Sequence, residues 1–103
     1  MSGEPVYDFD WDPAKAASNF RKHGVTFEQA ATVLLDALAL TIYDHAHSEH
    51  EDRWFTLGID ASDRLLAVAH TYESAGPSNI RVRIISARKA TRREQRSHEN
   101  EPE

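Results

Sequence analysis

Residues 80–96 read Ile-Arg-Val-Arg-Ile-Ile-Ser-Ala-Arg-Lys-Ala-Thr-Arg-Arg-Glu-Gln-Arg, and this run restricts the folds open to the chain. β-Branched residues alternate with arginine over its first half, so Ile80, Val82 and Ile84 line one face of a half-buried strand and Arg81 and Arg83 the other. After Ser86 the alternation breaks. Thr91-Arg92-Arg93-Glu94 then fits a capping box, in which the Thr and Glu side chains satisfy each other's orphan amides, and predicts a helix running to about Asn100. The segment holds seven basic residues against one acid, a charge of +6, whereas residues 1–79 hold five against thirteen, a charge of −8. A chain with its cations gathered on one strand and one helix presents a cationic face that calls for an anionic partner.

With 103 residues and 40% apolar content, the chain fits a single domain of modest core, with residues 1–6 and 101–103 expected to fray. No cysteine is present, which excludes disulfides, thiolate zinc sites and cysteine nucleophiles. No basic-then-apolar leader opens the sequence and no apolar run reaches the roughly 18 residues a membrane span needs, so the expectation is a cytoplasmic protein without membrane contact. The net charge of −5 argues against nonspecific coating of nucleic acid but leaves room for a local basic patch.

From the amino terminus, Tyr7-Asp8-Phe9-Asp10-Trp11 alternates aromatic and acidic residues and reads as a short strand with its aromatics toward the core. Asp12-Pro13 supplies a cap and a first helical residue, and Gly24 a stop, giving a helix from Pro13 to about His23. Along it Ala16, Ala17 and Phe20 form an apolar stripe. Lys15, Asn19, Lys22 and His23 share another face, either simply solvated or a phosphate-facing row with a titratable imidazole. Thr26-Phe27-Glu28-Gln29 opens a second helix carried by Phe27, Ala30, Ala31, Leu34 and Leu35. From Leu38 the period switches to two, and a strand runs to Tyr43. Residues 44–52 hold three histidines and four carboxylates with no apolar anchor. They read as a polar loop in preference to a metal site, although His45-x-His47 beside Asp44 has ligand-like spacing. Arg53 leads into a strand to Ile59. A tight turn follows, then Leu65–Tyr72, apolar enough to sit mid-sheet with His70 near its end, either a structurally satisfied histidine or a general base held by a rigid scaffold. Residues 73–79 read as a loop. Strands joined by short links pair antiparallel, so the expected fold is α+β: a twisted antiparallel sheet with an N-terminal helix pair and a C-terminal helix, the helices against one face.

Three stretches together resemble the BrnT family of toxins: Phe9-Asp10-Trp11-Asp12-Pro13-Ala14-Lys15, Asn19 with Lys22-His23-Gly24-Val25-Thr26-Phe27-Glu28-Gln29-Ala30, and Arg83-Ile84-Ile85-Ser86-Ala87-Arg88-Lys89-Ala90. The resemblance spans roughly residues 7–99. It implies a RelE-like fold, the toxin half of a bacterial type II toxin–antitoxin pair, and a metal-independent endoribonuclease that arrests translation. It also implies neutralisation by a ribbon-helix-helix antitoxin of the BrnA type, with operator DNA reached only through that antitoxin. Lys15, His23, Arg53, Arg83, Arg88, Lys89 and Glu94 match the family pattern, and His47 falls in its polar loop. Two departures stand out: His98 where the family usually has tyrosine, and a longer loop at Gly76-Pro77-Ser78.

Cleaving RNA without a metal or other cofactor requires a base for the 2′-hydroxyl proton, cations for the phosphorane oxygens and an acid for the leaving oxygen. The expected catalytic set is Lys15, His23, Arg53, His70, Arg83 and Arg88, with Arg81, Lys89 and Arg92 as RNA-binding residues; arginine suits this work because its planar fork grips two phosphate oxygens. For the base, His23 ranks ahead of His70 and His47. The alternative is a non-catalytic module that binds a ribbon-helix-helix DNA-binding protein as its co-repressor. A bare RNA-binding domain fits less well, since few exposed aromatics accompany the basic patch.

Overall fold

A computed structural model describes residues 6–99. In chain order the elements are β1 (Val6–Asp10), α1 (Pro13–His23), α2 (Phe27–Val33), β2 (Leu40–Tyr43), a 3-10 turn (His45–His47), β3 (Trp54–Ile59), β4 (Leu65–His70), β5 (Glu73–Ser74), β6 (Asn79–Lys89) and α3 (Arg92–Glu99). The α+β expectation holds. The fraying expected at both ends falls outside the described residues except at Val6, which pairs with Asn79.

The strands lie in the order β1-β6-β4-β3-β2, with β5 also pairing β6. As the apolar run of β4 requires, that strand is central. The sheet is mixed, however, and not antiparallel throughout: β1 runs parallel to β6, from Val6 opposite Asn79 to Asp10 opposite Arg83. Short links fix antiparallel pairing for β2, β3 and β4, but most of the chain separates β1 from β6, so no hairpin dictates its direction. The stretch expected to be a plain loop also contains β5, whose Glu73 and Ser74 pair with Arg81 and Ile80.

One irregularity in β6 decides which side chains share a face. Ala69 pairs with Ser86 but His70 with Ile84, leaving Ile85 as an extra residue in β6. A regular strand would send Arg83 and Arg88, five positions apart, to opposite faces; the bulge returns them to the same one. It likewise lets Ile84 and Ala87, three apart, both enter the core. That core lies between one sheet face and the first two helices, where Val25, Phe27, Ala30 and Val33 meet Leu66, Val68, Val82, Ile84 and Ala87. The helices do not all lie on this face: α3 is tied through Glu94 to Arg88, whose side chain is on the other. The remainder of that second face, around Phe55 and Ile42, has no helix over it among the described residues.

α1 forms between the expected signals. The Asp12 carboxylate accepts from the Ala14 amide at 2.9 Å, Pro13 takes the first turn, and Gly24 ends the helix at φ 69°, donating to the Phe20 carbonyl. Its buried stripe differs from the expectation. Ala16 packs on the core, but Ala17 and Phe20 are exposed and Asn19 is buried in their place. The reason lies in β6. β1 stops opposite Arg83, and beyond it the Asn19 amide completes the strand edge: Nδ2 donates to the Ala87 carbonyl at 2.8 Å and Oδ1 accepts from the Ala87 amide at 3.1 Å. A further bond from Nδ2 to the Val25 carbonyl at 3.1 Å ties in the turn between the helices.

α2 begins with both bonds of its capping box but ends at Val33, so Val33 is buried while Leu35 stays exposed. The following segment turns to cross β3 at Gly58, where a Cβ would lie 2.9 Å from that of Ala39. Only glycine allows this approach, and Asp36 fixes it by accepting from the Ile59 amide at 2.9 Å. β2 accordingly begins at Leu40 and not at Leu38, which is exposed.

Asn19→Ala should be the most destabilising polar substitution in α1. It removes three bonds and leaves the amide and carbonyl of Ala87 buried and unpaired, a loss of about 2–4 kcal/mol by the usual cost of such groups. Urea unfolding of the variant and of the parent measures it; a change under about 0.5 kcal/mol would contradict this account of the β6 edge.

Candidate functional site

The free part of the second sheet face carries the cations nominated from the sequence. Arg83 is held at its backbone by reciprocal contacts with Thr71: its amide meets Thr71 Oγ1 and its carbonyl accepts from the Thr71 amide, both at 3.0 Å. Its Nη2 donates to both carboxylate oxygens of Glu51 at 2.5 and 2.6 Å. The Arg83 hydrogen bonds hold the Glu51 carboxyl below the usual range against the opposing effect of burial, and the charges of Arg83, Arg53 and Lys15 add to the effect. Glu51 thus bonds Arg83 directly and feels the charges of Arg53 and Lys15 from further away. Arg53 is positioned by Ser48 Oγ, which accepts from its amide at 3.0 Å, and by the Asp44 amide donating to its carbonyl at 2.9 Å. Its Nε is buried with no hydrogen-bond partner, a donor left unused in the protein alone. Beside Arg83 a cavity of roughly 200 Å³ is walled by Glu51, Asp52, Thr71, Tyr72 and Glu73.

A second cleft of roughly 200 Å³ runs along α1, where Lys15, Ser18, Lys22 and His23 face Ile85 and Ser86. Three members of the row expected on that helix therefore line one groove. Asn19 lies at its base but spends its amide on the β6 edge. Lys15 belongs to this cleft, and its charge also helps to lower the pKa of Glu51.

Other nominated residues are placed differently. His70 is fully buried. Its Nδ1 lies 2.8 Å from the Thr71 carbonyl, which can only accept, so Nδ1 carries the proton and Nε2 accepts from Thr56 Oγ1 at 2.7 Å. Burial lowers its pKa, and neither ring nitrogen is free to take a substrate proton. A strand-end histidine expected as a base is in this position a neutral fastening between β3 and β4. Arg88 is also engaged. It grips Glu94 with two bonds at 2.8 and 2.9 Å and stands 5.6 Å over the Phe55 ring. Glu94, which also caps α3 through the Thr91 amide and hydroxyl, is held at about 2, chiefly by Arg88. Arg81 makes a long 3.8 Å contact with Glu73, while Lys89 and Arg92 are exposed and make no ion pair among the described residues. In the histidine-rich stretch His47 Nδ1 meets Asp44 Oδ2 at 2.9 Å, and no group of three His, Asp or Glu among the described residues could hold a metal.

Two features escaped the sequence reading. Glu51 was one carboxylate among four in a polar loop, with nothing local to single it out. Tyr7, Tyr43, Trp54 and Tyr72 come from separate elements and gather at one end of the sheet, with Trp54 5.1 Å from Tyr43 and 6.3 Å from Tyr72.

The profile of the family described as "Ribonuclease toxin, BrnT, of type II toxin-antitoxin system" matches residues 11–94. The chain belongs to this BrnT family. Its fold is also similar to the 1.1 Å crystal structure of the Brucella abortus ribonuclease toxin, BrnT, with a TM-score of 0.60 and 25% identity, covering 84% of this chain and 100% of that one. No curated protein matches the chain. Membership in the BrnT family places the chain among the toxins of type II toxin–antitoxin systems. No helix of the described residues is long and apolar enough to cross a membrane.

Stability should fall with acid in two steps. His70 is depressed by burial, so the folded state resists protonation that the unfolded state accepts; its contribution is whole above the unfolded value of about 6.5 and declines below it. The Glu94 contribution is present above its unfolded value and is lost as pH falls toward about 2. Urea midpoints of Glu94→Gln and the parent should therefore differ at pH 7 and converge near pH 2. Parallel curves at every pH would remove the ion pair from the account of α3.

Proposed function

We propose that this chain is a metal-independent endoribonuclease, the toxin of a type II pair, working as a single domain with a RelE-like fold. The observation that supports this reading is the Arg83 guanidinium at an open sheet face, gripping the Glu51 carboxylate with two hydrogen bonds, with the charges of Arg53 and Lys15 acting on the same carboxylate. A cation that holds a carboxylate in this way suits a phosphodiester, and Glu51 stands where its phosphate would bind. RNA exchanges one anion for another at Arg83, and the charge of Arg53 adds to the stabilisation of the phosphorane oxygens. His23, exposed in the α1 cleft with Lys15, takes the 2′-hydroxyl proton, and Lys15 serves the leaving oxygen. Arg81, Lys89 and Arg92 bind flanking phosphates. Arg88 acts at one remove, by holding α3 against the sheet.

A second assignment of the base has its own observation. Glu51 touches Arg83 directly, and once phosphate takes that guanidinium its carboxylate loses the hydrogen bonds that depress its pKa. His23→Ala and Glu51→Gln separate the two: the substitution at the base should lower kcat about 100-fold or more, with the other far milder. The partner is a ribbon-helix-helix antitoxin of the BrnA type, whose acidic or amphipathic segment covers Arg81 and Arg83 and through which alone operator DNA is met. The co-repressor reading remains the alternative, and intact RNA with the purified chain would favour it.

Arg83→Ala and Arg53→Ala should each reduce RNA cleavage at least 100-fold with the circular dichroism spectrum unchanged, and should relieve growth arrest in cells. Chelator should leave cleavage by the parent unaltered. Full toxicity of the Arg83 variant, or activity that returns only with added divalent metal, would overturn the assignment.

A further inference from the structure

On the helix-bearing face, opposite the Arg83 cavity, lies a cleft of roughly 380 Å³ with Tyr7, Trp54 and Tyr72 among its walls and Asp36, Thr41 and Thr56 among its polar groups. Tyr72 also walls the cavity at Arg83, so this residue joins the two spaces around the end of the sheet. An RNA strand alternates phosphate and base. A strand with its phosphate on Arg83 can turn a neighbouring base past Tyr72 into this cleft, whose volume exceeds that of a purine ring and whose walls are aromatic. Tyr72 is 42% exposed and Trp54 half-buried, so both rings present surface for stacking.

The direction of the hydroxyls at the cleft floor is fixed from below. His70 gives its only proton, on Nδ1, to the Thr71 carbonyl, so Thr56 Oγ1 must donate to His70 Nε2 and accept from Thr41 Oγ1 at 2.8 Å. The Thr41 proton is thereby consumed and its lone pairs are left for the cleft. Asp36 is an acceptor as well: its oxygens take the Leu38 and Ile59 amides at 3.0 and 2.9 Å, with a lone pair to spare on each. Thr41 and Asp36 thus place acceptors at the cleft floor, which an exocyclic amino group or a ring N–H meets, while the Tyr7 and Tyr72 hydroxyls and the Trp54 indole N–H put donors in its walls.

Building on the ribonuclease reading above, we infer that this cleft is a stacking subsite for the base of one unpaired nucleotide next to the scissile phosphate. Tyr72 acts there as the stacking platform and partition between base and phosphate.

The test uses the full chain and non-cleavable oligoribonucleotides with a 2′-deoxy or 2′-methoxy group at the scissile position, measuring binding by anisotropy and cleavage on the unmodified RNA. An abasic residue at the flanking position should weaken binding about 10- to 100-fold. Tyr72→Ala should reproduce the abasic loss, while Tyr72→Phe restores binding, since stacking needs the ring and not the hydroxyl. If Tyr72→Ala cleaves with unchanged KM, or abasic substitution is silent on both sides of the scissile phosphate, the subsite does not exist. Failure of the parent to cleave any RNA would instead defeat the ribonuclease reading. Discrimination between abasic and intact oligonucleotides in the binding arm would then still support the subsite, and its absence would overturn it.

Discussion

The Asn19 side chain is the contact on which the placement of the first helix depends. β6 is eleven residues long but β1 covers only its first half, from Asn79 to Arg83, and beyond that point one edge would face the underside of α1 unpaired. Asparagine offers a donor and an acceptor in the same plane, as a neighbouring strand would, and Asn19 uses both on Ala87. The helix is thereby locked in rotation as well as position. With Asn19 turned inward, Lys15, Lys22 and His23 fall along the groove beside Ser86 and Phe20 is turned to solvent. An apolar residue at position 19 would bury more area and lose this register. The polar choice costs α1 some hydrophobic contact and fixes where its cations point.

The bulge at Ile85 does for the sheet what Asn19 does for the helix. Without it Arg88 would face the core beside Ala30 and Val33, where an unpaired guanidinium is prohibitively costly. With it, Arg83 and Arg88 stand on the same open face and divide its two ends between them. Arg88 binds Glu94 and anchors α3 over Phe55, closing one end. Arg83 binds Glu51 from a loop without regular secondary structure at that point and leaves its end open. The two pairs have the same chemistry but different mounting: Glu94 is held by a helix cap that also bonds Thr91, whereas no backbone bond among the described residues fixes the Glu51 carboxylate.

Much of this was legible from the chain alone where the signals were local. The caps at Asp12, Thr26 and Thr91, the stop at Gly24, the central position of β4 and the face of β6 up to Ile84 all follow from neighbours in sequence, and each is where periodicity and capping chemistry put it. What escaped was set at long range. The parallel pairing of β1 depends on a partner some seventy residues away. The reversal of Asn19 from a solvated row to the core depends on where β1 ends. His70 carried the right residue type for a base, but only the sheet shows that Thr56 and Thr71 occupy both its nitrogens. The aromatic group at the sheet end draws one ring each from β1, β2 and β3 and one from the residues after β4, so no window of sequence contains it.

The acidity of the whole chain ceases to be an obstacle once charge is considered by position. A count over residues 80–96 gives +6, but Arg88 is neutralised by Glu94 for a structural purpose and Arg81 leans toward Glu73. Of that run Arg83 alone bonds Glu51, and the charges of Lys15 on α1 and Arg53 before β3, both outside the run, also act on this carboxylate, an association that only the fold makes. Under the ribonuclease reading proposed above, Glu51 offsets Arg83 until a phosphate displaces it, so the carboxylate competes with the ligand for the guanidinium. A site built this way does not need a basic protein around it, because a direct ion pair acts over a few ångströms whereas the net charge of the chain is screened beyond a Debye length.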